Sequence, residues 1–113
     1  MSLSHVVIGN ESLLIGCSEM LLDRGHKIAA VVSTDAEIAA WARGKGLAHM
    51  RDLSDLDRHL AGAGFDWLLS IANLLVIPEA LLALPRQGAI NFHDGPLPRY
   101  AGLNTPAWAL MAG

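Results

Sequence analysis

Apolar residues along the chain fall into two alternating rhythms, short continuous runs and longer stretches repeating at three and four residues. Residues 5–9 (HVVIG) are β-branched and end in glycine, the pattern of a strand buried on both faces. Leu13, Leu14, Cys17, Met20 and Leu21 then recur at helical spacing until Gly25, with Asn10 as the expected cap. A second strand is predicted over residues 27–33 (KIAAVVS). It leads into the capping pair Thr34 and Asp35 and a helix carrying Ile38, Ala39 and Trp41, closed by Gly44 and Gly46. Ala48 and His49 read as a very short strand, and residues 54–57 resemble a capping box ahead of Leu56 and Leu60. Residues 66–71 (DWLLSI) form the next buried run. Pro78 and Glu79 open a short helix ended by Pro85, and residues 88–93 (GAINFH) form a further strand. After a loop rich in Gly and Pro, Thr105 and Pro106 open a last predicted helix over residues 107–111.

Strands that alternate with helices at this spacing pair in parallel through right-handed crossovers. The expected fold class is therefore α/β, a doubly wound, mostly parallel, Rossmann-like sheet. Ligands in that architecture sit beyond the carboxyl ends of the strands, which directs attention to the turns after Gly9, after Ile71 and after residues 91–93. Neither a repeat, a low-complexity tract nor a linker interrupts the pattern, so residues 1–113 read as one domain.

Composition narrows the classes. At 113 residues, 52% of them hydrophobic, the chain has room for a single core. Its mean hydropathy of +0.36 is high, yet the apolar runs stay far below the ~18 residues of a membrane span, so the hydrophobicity is assigned to buried sheet and no membrane is expected. The first four residues lack the basic cluster and apolar stretch of a secretory signal, and a cytoplasmic location is expected. A net charge of −3, with eight Lys and Arg spread singly, offers no basic stripe, so this segment is not expected to bind nucleic acid directly. The lone Cys17 is expected to be a buried structural thiol. The histidines at 5, 26, 49 and 59 have no ligand spacing, and no metal site is expected. Trp41, Trp67 and Trp108 come from three separate elements and are read as core or rim residues.

Candidate chemistry collects near the end. Asn91 and His93 are two apart on a predicted strand, so both side chains project from one face near its carboxyl end. An amide donor can hold a carbonyl oxygen and an imidazole can stabilise a developing oxyanion or move a proton, which together suit acyl transfer. An Asn-x-His pair also fits a strand end whose side chains only satisfy backbone groups. Two prolines stiffen the loop over residues 94–102 that follows.

Taken whole, residues 90–113 (INFHDGPLPRYAGLNTPAWALMAG) resemble the folate-dependent formyltransferase family, which includes methionyl-tRNA and glycinamide ribonucleotide formyltransferases. The Asn-x-His element, the Leu-Pro-x-x-x-Gly loop and the Trp-Ala-Leu helix stand in the family's order, and residues 66–85 look like its preceding strand and pterin-side loop. The resemblance implies 10-formyltetrahydrofolate as formyl donor, with Asn91 and His93 as two of the three polar residues acting on the formyl group. It implies an aspartate beyond Gly113 as the third, and backbone contacts from Leu74, Leu75 and Val76 along the pterin. The chain would then be the amino-terminal part of a catalytic domain truncated at the carboxyl end, inactive alone and prone to self-association through its exposed sheet edge. The acceptor expected is a small-molecule or carrier-bound amine, with Asn10 as a candidate substrate-binding residue or, alternatively, simply a helix cap.

Two departures qualify these expectations. Asp94-Gly95 stands where many relatives have a small residue and Ser after the histidine. The first turn, Gly9-Asn10-Glu11-Ser12, lacks the G-x-G-x-x-G spacing for a pyrophosphate, which argues against a nicotinamide cofactor, and Glu11 argues against a phosphate at that turn. A folate-dependent formyl hydrolase, a non-catalytic α/β binding module and an unrelated nucleotide-binding domain stand as alternatives.

Overall fold

The computed structural model describes residues 2–60, 62–71 and 77–92. Within them the chain runs β1 (Ser4–Ile8), α1 (Leu13–Asp23), β2 (Lys27–Val32), α2 (Ala36–Gly44), β3 (His49–Met50), α3 (Leu53–Leu60), β4 (Trp67–Ile71), α4 (Glu79–Leu82) and β5 (Gly88–Phe92). The strands form one sheet in the order β3-β2-β1-β4-β5, and every pairing is parallel. The α/β doubly wound architecture follows from this order: the chain winds outward from β1 through β2 to β3, then returns to the other side of β1 for β4 and β5.

The helices divide with that reversal. On one face Val6, Ile8, Ala30, Val32 and Leu68 pack under Leu56 and Leu60 of α3 and Leu81 of α4. On the other, Val7, Val31, Leu69 and Ile71 meet Leu14 of α1 and Ile38 and Ala42 of α2. Strand side chains alternate between faces, and both faces are covered, so β1 is apolar at every position from Val6 to Ile8. An irregularity between His5 and Val6 puts Ala29 and Ala30 consecutively toward the α3 side, and the alternation resumes at Val31.

Caps are where the structure departs from the sequence pattern. Asp35 does cap α2, its carboxylate accepting from the Ile38 N–H. Asn10 does not cap α1: Ser12 occupies that position without a side-chain bond, and the Asn10 amide is engaged elsewhere. At α3 the cap is Asp52, which accepts from the Ser54 N–H at 2.9 Å, so the predicted box over residues 54–57 lies inside the helix rather than at its entrance. The apolar stripe of α1 is rotated as well. Leu14 and Ser18 are its buried positions, while Met20 and Leu13 are 51% and 37% exposed. Cys17 is half-buried instead of buried, and partial burial pushes its thiol pKa up, as befits an inert thiol. The predicted last helix lies outside the described residues.

Side-chain ties hold the layers in register. Trp41 of α2 donates its indole N–H to Glu19 of α1 at 2.7 Å, and Lys45 completes the link at 3.0 Å. At the amino ends of the strands, Asp66 accepts from the Ser4 N–H at 2.8 Å and pairs with Arg86 at 3.1 Å. The Ser4 N–H first, then Arg86, holds the Asp66 carboxyl below its ordinary range.

Candidate functional site

The reversal of strand order falls between β1 and β4, and in open α/β sheets ligands bind beyond the carboxyl ends of the strands at such a switch point. Gly9 stands at that point. A Cβ added there would collide with the carbonyl oxygen of Ile71, so the close approach of the two strand ends requires glycine.

A single row of side chains crosses the sheet just inside this edge. The register pairs Met50 with Val32, Val32 with Ile8, Ile8 with Ser70, and Ser70 with Asn91. Residues paired in parallel strands share a face, and Met50, Val32 and Ile8 all belong to the core under α3. The row is therefore apolar across β3, β2 and β1 and becomes polar across β4 and β5. Ser70 is 1% exposed and Asn91 is half-buried at the outer end of the row. Sequence periodicity places Asn91 near a strand tip, but its neighbour Ser70 follows only from the β4–β5 register. The other residues expected at this site, His93, Leu74, Leu75 and Val76, lie outside the described residues.

Beyond the apolar half of the row opens a cleft of about 250 Å³, lined by Ile8, Gly9, Asn10, Val32, Ser33, Thr34, Arg51, Asp52 and Leu53. Asn10 shapes it. Its side-chain oxygen accepts from Ser33 Oγ at 2.9 Å, from the Thr34 N–H at 2.8 Å and from Thr34 Oγ1 at 3.1 Å. The turn after β1 is thereby pinned to the turn after β2, and the predicted substrate-binding residue serves first as a wall. Across the cleft the Ser54 backbone N–H holds the Asp52 carboxyl below its ordinary range, keeping it ionised at neutral pH. Arg51 lies beside it, so the lining carries both signs. Sequence reading missed Ser33, Arg51 and Asp52 as site residues; the available signal was a polar residue closing the predicted strand over residues 27–33 and a polar pair two residues beyond the predicted strand of Ala48 and His49.

The site thus combines a half-buried amide beside a buried hydroxyl at one end with a cleft of mixed apolar and polar lining at the other, the composition usual for small-molecule pockets. Among the described residues, no three His, Cys, Asp or Glu side chains cluster in a way that would hold a metal ion. No helix among them is long and apolar enough to cross a membrane.

Comparison with known proteins gives this geometry a context. The formyl transferase family model matches residues 45–113, which include Asn91 and His93. The chain is 26% identical to the methionyl-tRNA formyltransferase of Alkaliphilus oremlandii, over 96% of its own length and 40% of that protein's. It is 30% identical to the methionyl-tRNA formyltransferase of Alcanivorax borkumensis, over 84% of this chain and 34% of the relative. For the enzyme of that name from Nitrobacter winogradskyi the identity is 28%, over 100% and 41% respectively. The chain spans about two fifths of the length of the curated relatives it matches end to end. A family model covering more than half of the chain, joined to a parallel sheet of the expected winding, shows that the chain belongs to the formyl transferase family.

Proposed function

We propose that the protein to which these residues belong transfers a formyl group from 10-formyltetrahydrofolate to an amine, with Asn91 and His93 polarising the formyl carbonyl. The observation that carries this reading is the polar end of the cross-sheet row, where the Asn91 amide stands beside Ser70 on the face where the cleft opens. These residues fit a carbonyl-bearing donor, because an amide partly withdrawn from water binds a carbonyl oxygen more strongly than an exposed one.

When bound, 10-formyltetrahydrofolate supplies the formyl group as a carbonyl attached to nitrogen. The Asn91 amide donates to its oxygen as negative charge develops there under attack by the acceptor amine. His93 would stabilise the same charge or take the proton that the amine loses, and as the carbonyl re-forms the bond to the folate nitrogen would break, that nitrogen taking up a proton and leaving as tetrahydrofolate. In this reading Leu74, Leu75 and Val76 would contact the pterin through their backbone groups, and Asn10 would face the acceptor. The relatives' names put their acceptor on a tRNA. Here the net charge of −3 without a basic stripe supports a small-molecule or carrier-bound amine.

The test is formyl transfer by the natural full-length protein carrying Asn91→Ala. Loss of one well-aimed oxyanion donor lowers kcat by roughly 10²–10³, while folate binding and the circular dichroism spectrum stay as in the wild type. An unchanged kcat rejects the assignment. Formate released in place of a formylated amine would instead identify a hydrolase.

A further inference from the structure

A second concavity, of about 230 Å³, lies on the α2 side of the β2–α2 turn and is lined by Ser33, Thr34, Asp35, Arg43, His49 and Arg51 among others. Met50 faces the core under α3, so its neighbour His49 turns to the α2 side, and its Nε2 lies 2.9 Å from the Ser33 carbonyl oxygen, on the wall of this concavity. The two arginines arrive from different elements, Arg43 from the last turn of α2 and Arg51 from the end of β3. Lys45, Arg58 and Arg86 are each paired with a carboxylate. Arg43 and Arg51 have no such partner among the described residues. The nearby Asp35 carboxylate is committed to the Ile38 N–H at 3.0 Å as the helix cap. Counting two guanidiniums against one carboxylate, the concavity is cationic within a chain of net charge −3.

We propose that this concavity binds a phosphate group, gripped by Arg43 and Arg51, and that the group is a phosphate monoester on the acceptor. Anion binding stands on the geometry alone, whereas the assignment to the acceptor rests on the formyl-transfer reading. Two guanidiniums from separate elements on one concavity can each donate paired N–H groups to a phosphate dianion and together balance its charge. The small volume of this open concavity and the absence of a basic stripe select one phosphate rather than a nucleic-acid backbone. From Val32 to Asn91 the row crosses three strand spacings, about 14 Å at ~4.8 Å each. The concavity beside β2 and the Asn91 end are therefore displaced across the sheet by a distance of that order, on opposite faces.

The test is a calorimetric titration of the natural full-length protein with inorganic phosphate, with no folate present. Wild type is expected to show saturable one-to-one binding. Arg43→Gln and Arg51→Gln should each weaken it by about tenfold or more, since each removes a charge-assisted contact, and the double variant should lose it. Both side chains are exposed, so the variants should keep the wild-type Tm, and Arg51→Lys should restore part of the affinity. Binding that the double variant retains, or no saturable binding by the wild type, overturns the proposal. O-Phosphoethanolamine should compete with phosphate; failure to compete overturns the assignment to a monoester. Asn91→Ala should leave the phosphate titration unchanged, so this inference and the formyl-transfer reading fail on separate measurements.

Discussion

At Gly9 a hydrogen atom faces the Ile71 carbonyl, and nothing larger fits. Gly9→Ala forces the tips of β1 and β4 apart, and overpacking of this kind costs about 1–3 kcal/mol. A urea midpoint unchanged by the substitution would show that the two tips are not held together. His5 is a different residue-scale constraint. It is 4% exposed, its Nδ1 lies 3.1 Å from the Lys27 carbonyl oxygen, and its ring meets that of His26 edge-on at 5.4 Å. Burial lowers its pKa from the ordinary 6.5. The unfolded chain then takes up the proton more readily than the folded one, so this contribution is complete above about pH 6.5 and is lost as pH falls toward the lowered folded value. The urea midpoint should fall between pH 7 and pH 5.5, and His5→Gln should flatten that slope whatever it does to absolute stability. Glu19, Asp52 and Asp66 act at lower pH. Their pKa values lie below the ordinary 4.5, 3.8 and 3.8, so the stability they lend is present above those values and lost as pH falls through the depressed ones.

Among elements, the strands are the most legible part of the sequence, because burial on both faces writes itself as a continuous β-branched run. Residues 5–9, 27–33 and 66–71 each contain the observed strand to within a residue or two. Caps are less legible, since Asn, Asp and Ser are all competent and the choice depends on where the chain bends. Asp35 and Asp52 stand immediately before their helices and cap them. Asn10 is drawn off by Ser33 and Thr34, partners 23 and 24 residues away that no local pattern announces. Ser70 as neighbour of Asn91 is hidden for the same reason, because strand register is a tertiary property. Asp35→Ala tests the element scale directly. It should cost about 1 kcal/mol by orphaning the Ile38 N–H, and hydrogen exchange should quicken at Ile38 ahead of the rest of α2. Uniform acceleration through α2 and the sheet would mean that the cap is not a local stabiliser.

Over the whole molecule, the sheet separates two cores that share β1 as a common wall, Val6 and Ile8 facing one and Val7 the other. This division has a functional consequence, because the Asn91 row and the cleft of Asn10 sit on the α3 side whereas the concavity of Arg43 and His49 sits on the α2 side. A ligand reaching both must pass over the carboxyl edge of the sheet rather than through it. Whether the two faces are also mechanically separate can be measured. Ile8 is 2% exposed in the α3-side core and Ile38 is fully buried in the α2-side core. Ile8→Val and Ile38→Val should each cost about 0.5–1.5 kcal/mol, small enough for a domain of ordinary stability to survive both. Side chains in separate cores share no packing partners, so the double variant should match the sum of the singles to within about 0.3–0.5 kcal/mol in urea unfolding. A coupling well above that margin would mean that strain crosses β1 from one face to the other, and that a ligand seated among Ser33, Arg43 and Arg51 alters the Asn91 end of the sheet through the core itself.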